Sequence, residues 1–176
     1  MTDVNFGVAD LEESPSSLES AGKWAAAADA YRRQLSQDPN SLPTLLGAAR
    51  VAGRMGDGAS LIEFLRRALI VDPSQKALRL DLAMVLMRVG ALVELERECR
   101  TLLDQSPTHS AAANLLGISL RRQKRFAEAE QAFWRAAEAS PAEATPLVNL
   151  ANMALDQGEM IKAFAAFRQI TSVNVV

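Results

Sequence analysis

The sequence predicts an all-α fold: a right-handed superhelix, or solenoid, of about five helix-turn-helix units, 34 residues each. Three observations lead there. Pro39, Pro73, Pro107 and Pro141 are spaced by 34 residues. Seventeen residues ahead of each runs a second series, Gly22, Gly56, Gly90 and then Lys124, which Gly158 continues. Between these marks the apolar residues fall at i, i+3, i+4 and i+7, the signature of amphipathic helices. A proline ends a helix because its ring clashes with the preceding turn and it has no N–H to donate. Glycine reaches the left-handed conformation that closes a helix C-terminus. Each period therefore reads helix A, short turn, helix B, turn.

The units fall at about 8–41, 42–75, 76–109, 110–143 and 144–176. In the first, helix A runs from Asp10 to Ala21 and is interrupted by Pro15; Ser14 is placed to cap a shortened helix with Pro15 at its first position. Residues 1–9 are expected to be a mobile acidic tail, and 10–176 a single domain. The apolar stripe of helix A then passes through Leu45, Ala48 and Ala49, through Leu82, Ala83 and Leu86, through Leu116, Gly117 and Leu120, and through Leu147, Leu150 and Ala151. Ala49, Ala83, Gly117 and Ala151 are small where two helices must approach closely. Helix B carries a small-or-leucine slot, Ala27, Leu61, Leu95, Ala129 and Ala163. Four residues on comes a bulky core slot, Tyr31, Leu65, Cys99, Phe133 and Phe167. Trp24 takes the slot of Phe126 and Met160 and is expected in the core, whereas Trp134 points away from the slot of Phe133. The last unit lacks a closing proline and ends Ile170-Thr171-Ser172-Val173-Asn174-Val175-Val176, with no polar cap in sight. That edge is either tolerated as it stands, covered by a partner chain, or covered by further sequence.

The chain has 176 residues, 49% apolar and 23% charged, with a formal net charge of -2. These values belong to folded proteins rather than disordered ones. No apolar run reaches the roughly 20 residues that a membrane-spanning helix needs. The start, MTDVNFGVADLEES, has neither the basic nor the apolar region of a secretory signal. One cysteine, Cys99, cannot form an internal disulfide, which fits a reducing compartment; a cytoplasmic location is expected. The 31 alanines, and 15 arginines against 4 lysines, fit a bacterium with a GC-rich genome.

Catalytic chemistry is not in evidence. His109, the sole histidine, falls in an inter-unit turn without a second ligand at zinc spacing, so no metal site is expected. Cys99 lies in the core slot. There is no nucleophile elbow and no glycine-rich phosphate loop, and the turn glycines follow helices rather than strands. Glu94, Glu96 and Glu98 alternate along a helix and read as solvated surface. The expectation is a protein that is no enzyme and takes no cofactor. Nucleic acid is disfavoured by the absent basic excess and the lack of stacking aromatics.

The chain resembles the tetratricopeptide repeat (TPR) family. The best copy runs from Ala113-Asn114-Leu115-Leu116-Gly117 through Arg125-Phe126-Ala127-Glu128-Ala129-Glu130 to Phe133, Ala136 and Pro141, and the likeness covers about residues 8–173. The resemblance implies a concave groove lined by set slots of helix A. Carried over unit by unit, these are Glu12, Glu13, Ser16 and Glu19; Leu46, Arg50 and Arg54; Leu80, Asp81, Met84, Met87 and Arg88; Asn114, Leu115, Ile118, Arg121 and Arg122; and Val148, Asn149, Asn152 and Asp156. Arginine forks suit carboxylates, methionines adapt to varied apolar side chains, and asparagine amides both donate to and accept from a peptide backbone. The implied partner is a peptide or helical segment with acidic and apolar residues. The chaperone-tail clamp known in the family is not reproduced, because its basic partners are missing beside Asn149 and Asn152.

Two functions follow from this resemblance. One is a scaffold that binds a protein segment in the groove. The other is the N-terminal recruiting region of a larger bacterial enzyme of glycosyltransferase, sulfotransferase or hydroxylase type. The acidic first 20 residues, with Asp3, Asp10, Glu12, Glu13 and Glu19 and no lysine or arginine, complement an arginine-lined groove, their own or a neighbour's. An apolar last unit favours homo-oligomers through Phe164, Ile170, Val173, Val175 and Val176.

Overall fold

The helices begin and end where proline, glycine and the capping residues dictate. The computed structural model describes residues 13–173, so the expected tail, Asp10, Glu12, Val175 and Val176 lie outside the described residues. Among these there are ten α-helices: α1 (Pro15–Ser20), α2 (Trp24–Gln37), α3 (Leu42–Met55), α4 (Gly58–Val71), α5 (Lys76–Val89), α6 (Leu92–Gln105), α7 (Ser110–Arg122), α8 (Phe126–Ala139), α9 (Thr145–Asp156) and α10 (Met160–Val173). The first helix is the shortened one: Ser14 is its N-cap, its hydroxyl accepts from the Ser17 N–H at 3.2 Å, and Pro15 opens it. Asp38, Asp72, Ser106 and Ser140, the residues before the four periodic prolines, are the C-caps of α2, α4, α6 and α8.

Helices with the helix A role end in one recurring closure. Gly22, Gly56, Gly90 and Gly158 have φ of 70°, 72°, 77° and 74°. The residue after each donates its N–H back across the last turn, Lys23 to Leu18 O, Asp57 to Ala52 O, Ala91 to Leu86 O and Glu159 to Ala154 O, at 2.8–3.0 Å. This 6→1 bond is the Schellman motif. Lys124 takes the same conformation, φ 61°, with Arg125 N–H donating to Leu120 O at 2.9 Å. A side chain with a Cβ pays a steric penalty there of about 1 kcal/mol. Lys124→Gly is therefore expected to raise stability by roughly 0.5–1 kcal/mol, read as a shifted urea midpoint at unchanged m-value.

The chain divides into two compact units, between Asp72 and Pro73. In the first, α1 packs on α2, α2 on α3, and α3 on α4, and α1 also reaches α3. In the second, each helix from α5 to α10 packs on the next, and α5 touches α7 as α7 touches α9. Within each unit the A helices thus stand side by side and make a wall. A brace recurs two periods apart: Arg67 donates to the Pro39 carbonyl at 2.8 Å in the first unit, and Arg135 to the Pro107 carbonyl at 2.8 and 3.0 Å in the second.

Core size is matched pair by pair. Phe133, fully buried, lies over Gly117, where a Cβ would come within 2.6 Å of the ring. Leu65 and Cys99 occupy the same slot opposite Ala49 and Ala83, and all are buried. Tyr31 presses on Gly47, where a Cβ would come within 2.3 Å of the phenol ring.

Three expectations about burial need correction. Trp24 is only half-buried, because it stands at the first residue of α2, where one side of the ring has no neighbouring turn. Phe167 is 40% exposed. No described helix follows α10 to cover it. The glutamates of α6 are not solvated: Glu98 is 5% exposed and Glu96 half-buried, for the ionic reasons given below. Trp134 is half-buried.

Candidate functional site

The slots carried over from the resemblance fall on the A helices, and the wall each unit presents is distinct. In the first unit Arg50, on α3, donates from Nε and Nη2 to both carboxylate oxygens of Glu19, on α1, at 2.6 and 2.7 Å. The Tyr31 hydroxyl donates to the same carboxylate at 2.5 Å. The guanidinium hydrogen bond holds Glu19 below the usual carboxylate range, with the phenol donation adding to it, against the desolvation that opposes both. Burial, and then the neighbouring carboxylate, push Tyr31 up to about 12, so it remains a donor. Glu19 is itself one of the carried-over slots, so this pair joins two wall residues of neighbouring A helices. Glu13 instead pairs with Lys23 at 3.0 Å, while Asp3, Asp10 and Glu12 lie outside the described residues. Arg54, in the last turn of α3, is exposed and has no partner among the described residues.

In the second unit the wall is α5, α7 and α9. Met84 is 42% exposed on α5, Met87 half-buried, and Arg88 exposed without a partner among the described residues. Asn114 on α7 accepts at Oδ1 from Asn149 Nδ2 of α9 at 2.9 Å. Both side chains are half-buried, and each keeps its other amide group unused among the described residues. Arg122 Nη1 donates to the Met87 carbonyl at 3.0 Å, tying α7 to α5, and Arg121 is ion-paired with Asp156, tying α7 to α9. Asn152 is exposed, Ile118 half-buried. Leu115 is not a groove residue: at 7% exposure it packs inside, one helical step from Asn114.

Of the five arginines expected to face a ligand, Arg50, Arg121 and Arg122 are thus engaged inside their own unit, and Arg54 and Arg88 are not. Sequence reasoning missed this because the partners lie one repeat away: Glu19–Arg50 and Arg121–Asp156 are 31 and 35 residues apart. The spacing itself, close to one period, was the available signal.

A second polar cluster joins α5, α6, α7 and α8. Glu98 accepts from Arg79 Nη1 at 2.6 Å and from Arg97 at 3.0 and 3.1 Å, and Arg79 also donates to the Pro73 carbonyl. Arg79 Nε is buried with no partner. Glu96 accepts from Arg100, Arg125 and Gln123. Desolvation works against its charge, yet these donors together lower its pKa. These contacts run from α5 and α6 to the α7–α8 turn and tie the hairpins together.

His109 is the N-cap of α7, its Nδ1 accepting from the Ala112 N–H at 3.4 Å. Cys99 is fully buried, and desolvation, with Glu98 and Glu96 nearby, pushes its thiol up to about 12, so it is no nucleophile at neutral pH. Among the described residues no group of three His, Cys, Asp or Glu is gathered as a metal would need, and no helix is long and apolar enough to cross a membrane.

No family model matches the sequence, and no curated protein matches it closely enough to count as a relative. Solved structures do match in fold. The crystal structure of MamA superposes with a TM-score of 0.78 at 16% identity, covering 90% of this chain and 93% of that one. MamA (41-end) from Desulfovibrio magneticus RS-1 gives 0.76 at 14% identity, covering 90% of each. YrrB, a TPR protein with an unusual peptide-binding site, gives 0.75 at 17% identity, covering 91% of this chain and 82% of that one. At such identities the likeness establishes the fold alone: an all-α arrangement of TPR-type helical hairpins, as the 34-residue period predicts.

Proposed function

We propose that the A-helix wall of the second unit binds an extended segment of a partner protein, and that the chain is a protein-interaction scaffold with no catalysis of its own, working in a bacterial cytoplasm. The observation that carries this reading is the Asn149–Asn114 pair. Two half-buried amides on adjacent helices hold each other in place and keep one donor and one acceptor free, which is what a peptide backbone requires. Met84 and Met87, on α5, which packs against the α7 of Asn114, supply an adaptable apolar surface, and Arg88, without a partner among the described residues, a guanidinium for a carboxylate. The likeness to YrrB, a TPR protein with a peptide-binding site, supports the same reading. The test is selection of random peptides of about twelve residues displayed on phage. Enriched peptides are expected to bind the purified chain and to lose about threefold to tenfold in affinity on Asn149→Ala, at unchanged helix content, the effect of one or two hydrogen bonds. If no peptide is enriched, or Asn149→Ala leaves affinity intact, the reading fails.

Self-association is a second reading, favoured by the outer face of α10, where Ile161 is 87% and Phe164 68% exposed and Met160 and Phe167 are also open. Two copies meeting there would take these apolar side chains out of water together. Ile170 is half-buried; the Val173 side chain, Val175 and Val176 lie outside what is described. Multi-angle light scattering is expected to give a dimer mass for the wild type and a monomer mass for Phe164→Glu. A monomeric wild type at high concentration would rule this out.

A further inference from the structure

We infer that α5 selects an amphoteric partner segment: an extended, polyproline-II-like stretch in which a lysine or arginine stands three residues from an aspartate or glutamate, with a non-polar residue between them. This deepens the peptide-binding reading and rests on it. Asp81, Met84 and Arg88 lie at i, i+3 and i+7 on one face of α5, and all three are exposed. Among the described residues neither Asp81 nor Arg88 has a charged or hydrogen-bonding partner. The other charged groups on the two walls treated above, Glu19, Arg50, Arg121, Arg122 and Asp156, do have one, with Arg54 the exception. The strip therefore offers one free anion, one free cation and an apolar residue between.

Asp81 is also poorly hydrated for an exposed group: desolvation by its surroundings raises its pKa above the ordinary value, with no cation to offset it. A carboxylate in that condition gains more from an incoming ammonium or guanidinium than one bathed in water.

Spacing supplies the rest. Seven residues of helix separate Asp81 from Arg88 by about 10 Å. A polyproline-II segment rises about 3.1 Å per residue and returns to the same side every third residue, so side chains three apart are about 9 Å apart and face the same way. It also leaves its backbone groups unpaired, free for the open amides of Asn114 and Asn149. A helical segment would need its charges seven residues apart and would have no backbone groups to offer.

The experiment selects displayed random peptides on the wild type and, in parallel, on the Asp81→Asn/Arg88→Gln double variant. The strongest wild-type binder is then made with a fluorescein label, beside an analogue with its basic residue replaced by Met, and measured by fluorescence anisotropy. The expected result is enrichment of basic–x–x–acidic spacing on the wild type alone. Asp81→Asn should weaken the parent peptide about threefold to fivefold, the size of a solvent-reached charge pair, and leave the Met analogue unchanged. The thermal midpoint of Asp81→Asn should stay level or rise, since the variant removes an uncompensated charge; a structural role for Asp81 would lower it. Enrichment of purely acidic peptides, of charges at another spacing, or an equal effect of Asp81→Asn on both peptides overturns the inference, while sensitivity to Asn149→Ala in those same peptides leaves the wall reading standing. If no peptide is enriched, both fall together.

Discussion

Replacing Glu98 by Ala is expected to cost about 3–5 kcal/mol, the largest loss from any single polar substitution in the second unit. Glu98 is 5% exposed, and its carboxylate is the counter-charge of Arg79, whose side chain is only 11% exposed. Arg79 already carries one unsatisfied donor, its buried Nε. Truncation at Glu98 leaves the guanidinium with the Pro73 carbonyl as its remaining acceptor at 3.1 Å, in a place water reaches poorly. The cost is therefore the desolvation of an unpaired charge rather than the worth of one contact. Urea unfolding of Glu98→Ala measures it. The control is Arg79→Met/Glu98→Leu, which removes both charges and is expected to lie within about 1–2 kcal/mol of wild type, because apolar replacement of a buried pair is often neutral. A double variant as unstable as the single one would show that shape, not charge, sets the cost.

Gly117→Ala is expected to destabilise by about 1–3 kcal/mol, although alanine favours a helix over glycine by about 1 kcal/mol. The added Cβ would stand 2.6 Å from Cδ1 and Cε1 of Phe133, whose ring is completely buried and has no room to retreat. Phe133→Leu in the same chain is expected to relieve the clash, because it recreates the Ala49 and Leu65 combination found two hairpins earlier in the chain. The pair is expected to be strongly non-additive, the double variant being more stable than the sum of its single losses implies. Additivity of the two losses would mean that Gly117 is small for another reason.

These two sites mark different degrees of legibility. The glycine and its phenylalanine stood in recognisable slots, and the small-against-bulky logic was readable from the period alone; what could not be read was which slots face one another, sixteen residues apart across a hairpin turn. The glutamates of α6 were misread outright. Alternation along one helix says that Glu96 and Glu98 point differently; it does not say that Arg79 on α5, Arg100 on α6 and Arg125 at the N-cap of α8 converge on them. The helices that carry the candidate wall residues, Met84, Met87, Arg88, Asn114, Asn149 and Asn152, were legible from the period, and the pairing of their side chains was not. Residue type told that Arg50 and Arg88 carry the same charge. In the fold one of them is locked on Glu19 and the other has no partner among the described residues.

The sequence by itself determined the period, the helix ends and the core stripes. Those are local properties: a proline without an N–H, a glycine free to turn left, and side chains recurring every 3.6 residues act within a few residues of themselves. Tertiary structure alone decided the pairings of charge, the exposure of Phe167, and the identity of the groups left open for a partner. Those depend on neighbours about 20 to 35 residues away, and a charge or an aromatic ring changes its role with the neighbour it meets rather than with the residue it is.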